Sequence, residues 1–216
     1  MNFPTAKHLR WIILVLVALV LLIVFPPFRI VRVETNENSS RTIAKPEAAF
    51  DPVTFAQSFW QERLLPTAET TTDLTAVLEA LSESPESAAE RYGHRSGIGG
   101  PAYFFVRGEG RVVAGEGSSL LVSVGGNTVS LRTGPVFGNV VRDGTGLLEV
   151  NSVPGLAEFN AISAELNRLV EERVQPKLRD LAPGTRLHFA GCAKAPESTG
   201  GEPALAIIPV MVELLP

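Results

Sequence analysis

GEGRVVAGEG, residues 108–117, sets four glycines into ten residues directly after the aromatic run Tyr103-Phe104-Phe105. Two readings compete: a phosphate-binding loop, or punctuation of β-structure. A dinucleotide fingerprint needs G-x-G-x-x-G between a strand and a helix, so that amides at the helix start meet the pyrophosphate. Gly108 and Gly110 supply G-x-G, but position 113 is Val, and another β-like run follows in place of a helix. No G-K-[ST] occurs, so a P-loop fails as well. The stretch therefore reads as β-structure: residues 103–114 a strand, with Gly108 and Gly110 permitting a bend or bulge. Gly115–Ser118 then make the turn to the next strand.

Working outward, the period-two pattern continues. YFFVRGEGRVVAG and SLLVSVGGNTVSLRTG are rich in Val, Leu and aromatics, with Gly125-Gly126-Asn127 interrupting the second as a hairpin or a bulge would. GTGLLEVNSV reads as a third strand. LAEFNAISAELNRLVEERVQ is a clear amphipathic helix, with Phe159, Ile162, Leu166, Leu169 and Val170 on one face. Pro176 ends it, and GTRLHFAGC and ALAIIPVMVEL read as two final strands. Three strands, a helix and two strands is the order of a five-stranded OB-like β-barrel, with its helix between strands 3 and 4. The expected class is α+β, with this barrel over 100–216.

Upstream, residues 51–95 turn helical and form a small subdomain. Asp51-Pro52 makes an N-cap followed by a favoured first-turn residue, and Pro66 stops that helix. Leu74, Val77, Leu78 and Leu81 fall at i, i+3, i+4, i+7. Pro85 opens a third helix that Gly93 closes. Residues 29–50 are polar and mixed, a juxtamembrane linker.

Residues 11–28, WIILVLVALVLLIVFPPF, carry no charge and no amphipathic stripe. As a helix they reach roughly 27 Å, close to the thickness of a bilayer core. Lys7 and Arg10 precede them, but no small-residue cleavage site follows, nor a cysteine for lipidation. The expectation for 1–28 is a short cytoplasmic tail and an uncleaved transmembrane helix, a signal anchor holding the rest outside the cytoplasm. Lys7 and Arg10 are the only charges in that segment, so the chain's net −4 leaves −6 on the remainder.

An acidic ectodomain argues against nucleic acid, whose binding rests on Lys and Arg neutralising phosphates. From Tyr103 to Pro216 there are ten Lys and Arg against twelve Asp and Glu, and six aromatics, short of a basic, aromatic groove. His94 and His188 lack metal-ligand spacing, so no metal and no cofactor are expected. Ser96 beside His94 has no nucleophile-elbow context. Cys192, the single cysteine, excludes an intramolecular disulfide and reads as a small buried apolar residue. Neither paired carboxylates nor a nucleophile with its base is visible in the spacing, so the protein reads as non-enzymatic. GPVFGNVVRDG, residues 134–144, joins two β-runs, and its adjacent Arg142 and Asp143 either orient a polar ligand or knit the loop.

Five phrases carry a resemblance: FWQERLLPT (59–67), RYGHRSGIGGPAYFFVRGEGRV (91–112), GPVFGNVVRDG (134–144), FNAISAELN (159–167) and AIIPVMVEL (206–214). Together, in this order, they resemble a bacterial family of predicted periplasmic lipoproteins of unknown function, often encoded beside sugar ABC transporter genes. The similarity runs from about residue 45 to 216. It implies a bacterial envelope protein with an accessory role in solute uptake and ABC transporter components as partners. Gly134, Pro135, Arg142 and Asp143 match the family pattern and are the candidate ligand-binding residues. The chain departs from the lipoprotein label in lacking a cysteine after the apolar segment. Two readings follow: a membrane-anchored, non-catalytic accessory module, or direct binding of a saccharide or glycan by the barrel.

Overall fold

The computed structural model describes residues 50–95, 97, 99–196 and 205–216. The apolar segment 11–28, the linker 29–50 apart from Phe50, and Ser96 lie outside these residues. Among those described, no helix is long and apolar enough to cross a membrane. Residues 48–216 fall in one compact unit.

The described residues open with helix α1 (Pro52–Phe59), capped by the Asp51 carboxylate, which accepts from the Val53 and Thr54 amides at 3.1 and 3.3 Å. Pro66 does not stop this helix. A π-turn over Trp60–Leu64 leads into a last turn, α2 (Leu65–Ala68), and the Leu65 amide reaches back five residues to the Trp60 carbonyl. A proline inside a helix lacks an amide and crowds the carbonyl four residues back. Widening the preceding turn to i→i+5 is one way a helix absorbs such a break. Short strand β1 (Thr72–Asp73), helix α3 (Leu74–Glu83, capped by Asp73) and helix α4 (Pro85–Tyr92, capped by Ser84) follow. Two-residue strand β2 (His94–Arg95) ends this region.

Five long strands then organise the rest: β3 (Ala102–Glu116), β4 (Ser119–Val124), β5 (Asn127–Arg132), β6 (Arg186–Lys194) and β7 (Ala206–Leu215). Strand β3 pairs antiparallel with β6 over its first two thirds and with β4 over its last third. The chain of pairings runs β3-β4-β5-β7-β6 and returns to β3, so it closes on itself. The β5–β7 contact is parallel and short, Ser130 against Ala206 and Leu131 against Ile207. Helix α6 (Leu156–Arg173) comes between the third and fourth of these strands, as the hydrophobic periodicity requires.

The boundaries sharpen or correct the sequence reading in three places. First, β3 extends through Glu116, and the turn is confined to Gly117-Ser118. Gly115 lies within the strand opposite Leu120, while Gly117 has φ +55° and makes the turn. Second, Gly125-Gly126 is a two-residue hairpin loop with φ of +56° and +87°, the signature of a turn that matches strand twist. It splits the run 119–132 into two strands. Third, GTGLLEVNSV is not a strand. Gly146 has φ +64° and residues 150–152 form a 3-10 turn, so the local backbone cannot extend into a ladder. Five long strands are as expected, but the third of them is Asn127–Arg132, and the short strands β1 and β2 are additional.

Gly108 and Gly110 serve close approach. A Cβ on Gly110 would stand 2.4 Å from Val122 Cγ1 and 2.7 Å from the Ser123 carbonyl oxygen, at the point where β3 passes from β6 to β4. A Cβ on Gly108 would meet Leu74 at 3.3 Å, where α3 starts over the sheet. The bulge itself falls between Val112 and Ala114. Residues Ala102–Val106 are buried on both faces, one inside the ring and one beneath the helices. Tyr103, Phe104 and Phe105 are therefore core residues, unavailable as a stacking platform for bases. Leu74 and Val77 of α3, Ala88 of α4 and Phe59 of α1 join the same core as Phe104, Phe189 and Ile207.

Candidate functional site

The segment from Thr133 to Gly155 crosses from β5 to α6 and holds the residues singled out in the sequence. Its only α-helix, α5, is five residues long (Val140–Gly144). Segments of this kind carry many polar backbone groups, and here side chains of α6 and of the turn after it satisfy them. Glu171 accepts the Val136 amide at 2.7 Å. Ser163 and Asn167 both donate to the Gly138 carbonyl, each at 2.9 Å, and Gln175 donates to the Gly134 carbonyl. Residues 134–139 are thus tied to α6 and to the 3-10 turn Gln175–Leu178 at several points.

Arg142 and Asp143 form a buried ion pair, with relative exposures of 6% and 3%. Arg142 Nε donates to Asp143 Oδ1 at 2.6 Å, and Nη1 donates to the Phe159 carbonyl at 3.2 Å and Asn160 Oδ1 at 3.1 Å. The guanidinium lies 3.8 Å from the centroid of the Phe159 ring. Asn139 donates to the other carboxylate oxygen of Asp143, and the Asp143 amide returns to the Asn139 carbonyl at 2.8 Å. Of the two roles open to the pair, the geometry displays the second: it joins α5 to α6.

Between this loop and α6 lies a groove of about 540 Å³. Arg142 lines it, as do Asn139, Asn160, Asn167 and Glu171, with Phe137 and Val136 on the loop side. Gly134, Pro135 and Asp143 do not. Gly134 packs against the β3–β4 turn, where an added Cβ would stand 2.4 Å from Ser118 Cβ; Pro135 is exposed and Asp143 lies beneath. Two features of the groove were missed in the sequence. Phe137 is 81% exposed although both flanking residues are pinned, so its ring is held out in water at the groove edge. Asn167 is only 7% exposed, and its Oδ1 has no hydrogen-bond partner. Phe137 was an isolated aromatic in a glycine-rich loop, and Asn167 an ordinary polar residue on a helix.

Comparison with known proteins fits this architecture. A family described as "Predicted periplasmic lipoprotein (DUF2291)" matches residues 16–213. The chain belongs to this family. Its members are predicted to be periplasmic, which supports an envelope-associated, extracytoplasmic location. The crystal structure of an OB-fold protein from Thermotoga maritima at 1.90 Å resolution is similar, with 24% identity and a TM-score of 0.68. The similarity covers 77% of this chain and 99% of that one. It shows the OB fold, consistent with the closed order of strand pairings. No curated protein matches the chain. The single cysteine, Cys192, is fully buried in β6.

Proposed function

We propose that this protein is a non-catalytic accessory module of the bacterial envelope, tethered through residues 11–28, with an OB-like barrel that serves solute uptake beside an ABC transporter. The observation that carries the binding role is Phe137. Exposing a large aromatic ring costs hydrophobic free energy, of order 2 kcal/mol relative to burial. Here hydrogen bonds to the Val136 amide and the Gly138 carbonyl hold the backbone on either side of the ring. An exposed aromatic on an anchored backbone beside a polar groove is placed for contact. The groove lining supports the non-catalytic reading. It contains neither histidine nor cysteine, and its serine hydroxyl, Ser163 Oγ, is committed to the Gly138 carbonyl.

The tether is supported by the uncharged run 11–28 and by the burial of Cys192, which leaves no thiol for acylation. The transporter link is supported by the family resemblance. The test is cross-linking and affinity purification of the tagged full-length chain from native membranes under mild detergent. Recovery of a permease subunit or a solute-binding protein is expected, with the full-length chain in the membrane fraction. Full-length protein in the cytosol, or a membrane fraction yielding neither partner, overturns the reading.

A further inference from the structure

The groove's chemistry specifies an occupant more closely than the word "binding" does. Asn167 supplies the key observation: a buried amide oxygen without a partner, on a residue that lines the groove and whose amide nitrogen donates to the Gly138 carbonyl. Leaving such an acceptor desolvated and unpaired costs on the order of 1–3 kcal/mol, so buried polar atoms of this kind call for a donor. Glu171 adds a carboxylate of which one oxygen accepts the Val136 amide. The site therefore offers acceptors and asks for O–H or N–H donors.

Charge narrows the class. Both cations in the lining are spent: Arg142 on Asp143, and Arg168 on Glu165 and Glu172, each at 2.7 Å or less. An anionic ligand would find no unpaired cation among the described residues of the groove. An ammonium would find one carboxylate in the lining, Glu171, with an oxygen already committed to the Val136 amide. A neutral ligand with several hydroxyls meets neither penalty. Phe137 adds an apolar face at the rim, the surface on which the C–H side of a sugar ring packs while its hydroxyls reach polar side chains.

We infer that the groove between residues 136–142 and α6 is a binding site for a neutral, polyhydroxylated ring, a monosaccharide or one unit of a glycan, with Phe137 as its platform and Asn167 Oδ1 as an acceptor. This deepens the binding reading above and rests on it, and it moves the saccharide site from the barrel strands to the loop–helix face.

The experiment is calorimetric titration of the full-length chain in a detergent without sugar headgroups, against glucose, galactose, ribose and maltose. Glucose 6-phosphate is the charged comparator. At least one neutral sugar binds, and Phe137→Ala weakens it about tenfold or more with an unchanged melting temperature. Asn167→Leu removes the acceptor and also abolishes the heat. Because Asn167→Leu also removes one of the two side-chain hydrogen bonds to the Gly138 carbonyl, the exposed Phe137→Ala variant is the decisive one. Absence of heat with all four neutral sugars overturns the inference, as does tighter binding of the phosphorylated sugar or binding indifferent to Phe137→Ala. A transporter partner recovered from membranes alongside silent titrations removes this inference alone. Sugar binding without a recovered partner removes only the transporter link.

Discussion

Gly144 lies against Cys192 so closely that a Cβ on the glycine would stand 2.7 Å from Cys192 Cβ and 3.0 Å from its sulfur. The Cys192 thiol in turn points to the Val141 carbonyl at 3.8 Å. Helix α5 therefore seats directly on strand β6, and the segment that forms one wall of the groove is fixed to the sheet through a residue without a side chain. Gly144→Ala forces α5 off β6 and destabilises the protein by about 1–3 kcal/mol, the usual range for overpacking. Since the nearest atom is the cysteine Cβ, Cys192→Ala should not relieve the strain, whereas Cys192→Gly should relieve part of it. Chemical denaturation of the two double variants checks this; equal rescue by both would show that the contact is not what the glycine is for.

Burial holds the Cys192 thiol far above its ordinary pKa, because a thiolate there would have no water around it. The folded state keeps its proton at a pH where the unfolded chain loses it. The resulting stabilisation is fully present below the ordinary value of 9.0 and fades as pH rises above it. Between about pH 8 and pH 10.5, wild type should lose more stability than Cys192→Ala. The native thiol should also resist iodoacetamide at neutral pH and react on unfolding. Rapid native alkylation would place the sulfur at the surface and refute this placement of β6.

Two glycines of β3, Gly110 and Gly115, behave oppositely. Gly110 has no room for a methyl group, with Val122 Cγ1 at 2.4 Å, whereas an added Cβ on Gly115 meets nothing within 4 Å. Gly110→Ala should cost about 1–3 kcal/mol. Gly115→Ala should be neutral or stabilise by up to about 1 kcal/mol, since the backbone there is already extended and only the unfolded chain loses freedom. Thermal melts of the two single variants suffice, and a reversed order would contradict the β3–β4 register.

Much of this architecture was legible in the sequence because its causes are local. Asp51 caps its helix through its own side chain, Pro85 opens α4, and the apolar stripe of α6 follows from 3.6-residue periodicity. The failures were non-local. Pro66 stays helical because a π-turn ahead of it yields, and Leu147-Leu148 belong to a loop because Gly146 turns the chain against His94. The site was half legible. Arg142 was marked by its acidic neighbour, but the groove exists only because α6, twenty residues on, brings Asn160, Asn167 and Glu171 opposite the loop. No spacing within 134–144 encodes that meeting.

The Arg142–Asp143 pair offers the most demanding test of the site's construction. Both residues are buried, so removing one partner leaves a charge with neither water nor counter-ion. Breaking such a pair typically costs about 3–5 kcal/mol, while replacing both members with apolar residues costs far less. Arg142→Leu should therefore be more damaging than Arg142→Leu combined with Asp143→Leu. The single variant also forfeits the hydrogen bonds to the Phe159 carbonyl and Asn160, and the stacking on the Phe159 ring. A double-mutant cycle by urea denaturation measures the coupling, expected to exceed about 1 kcal/mol. Additive losses would mean that the two side chains act independently.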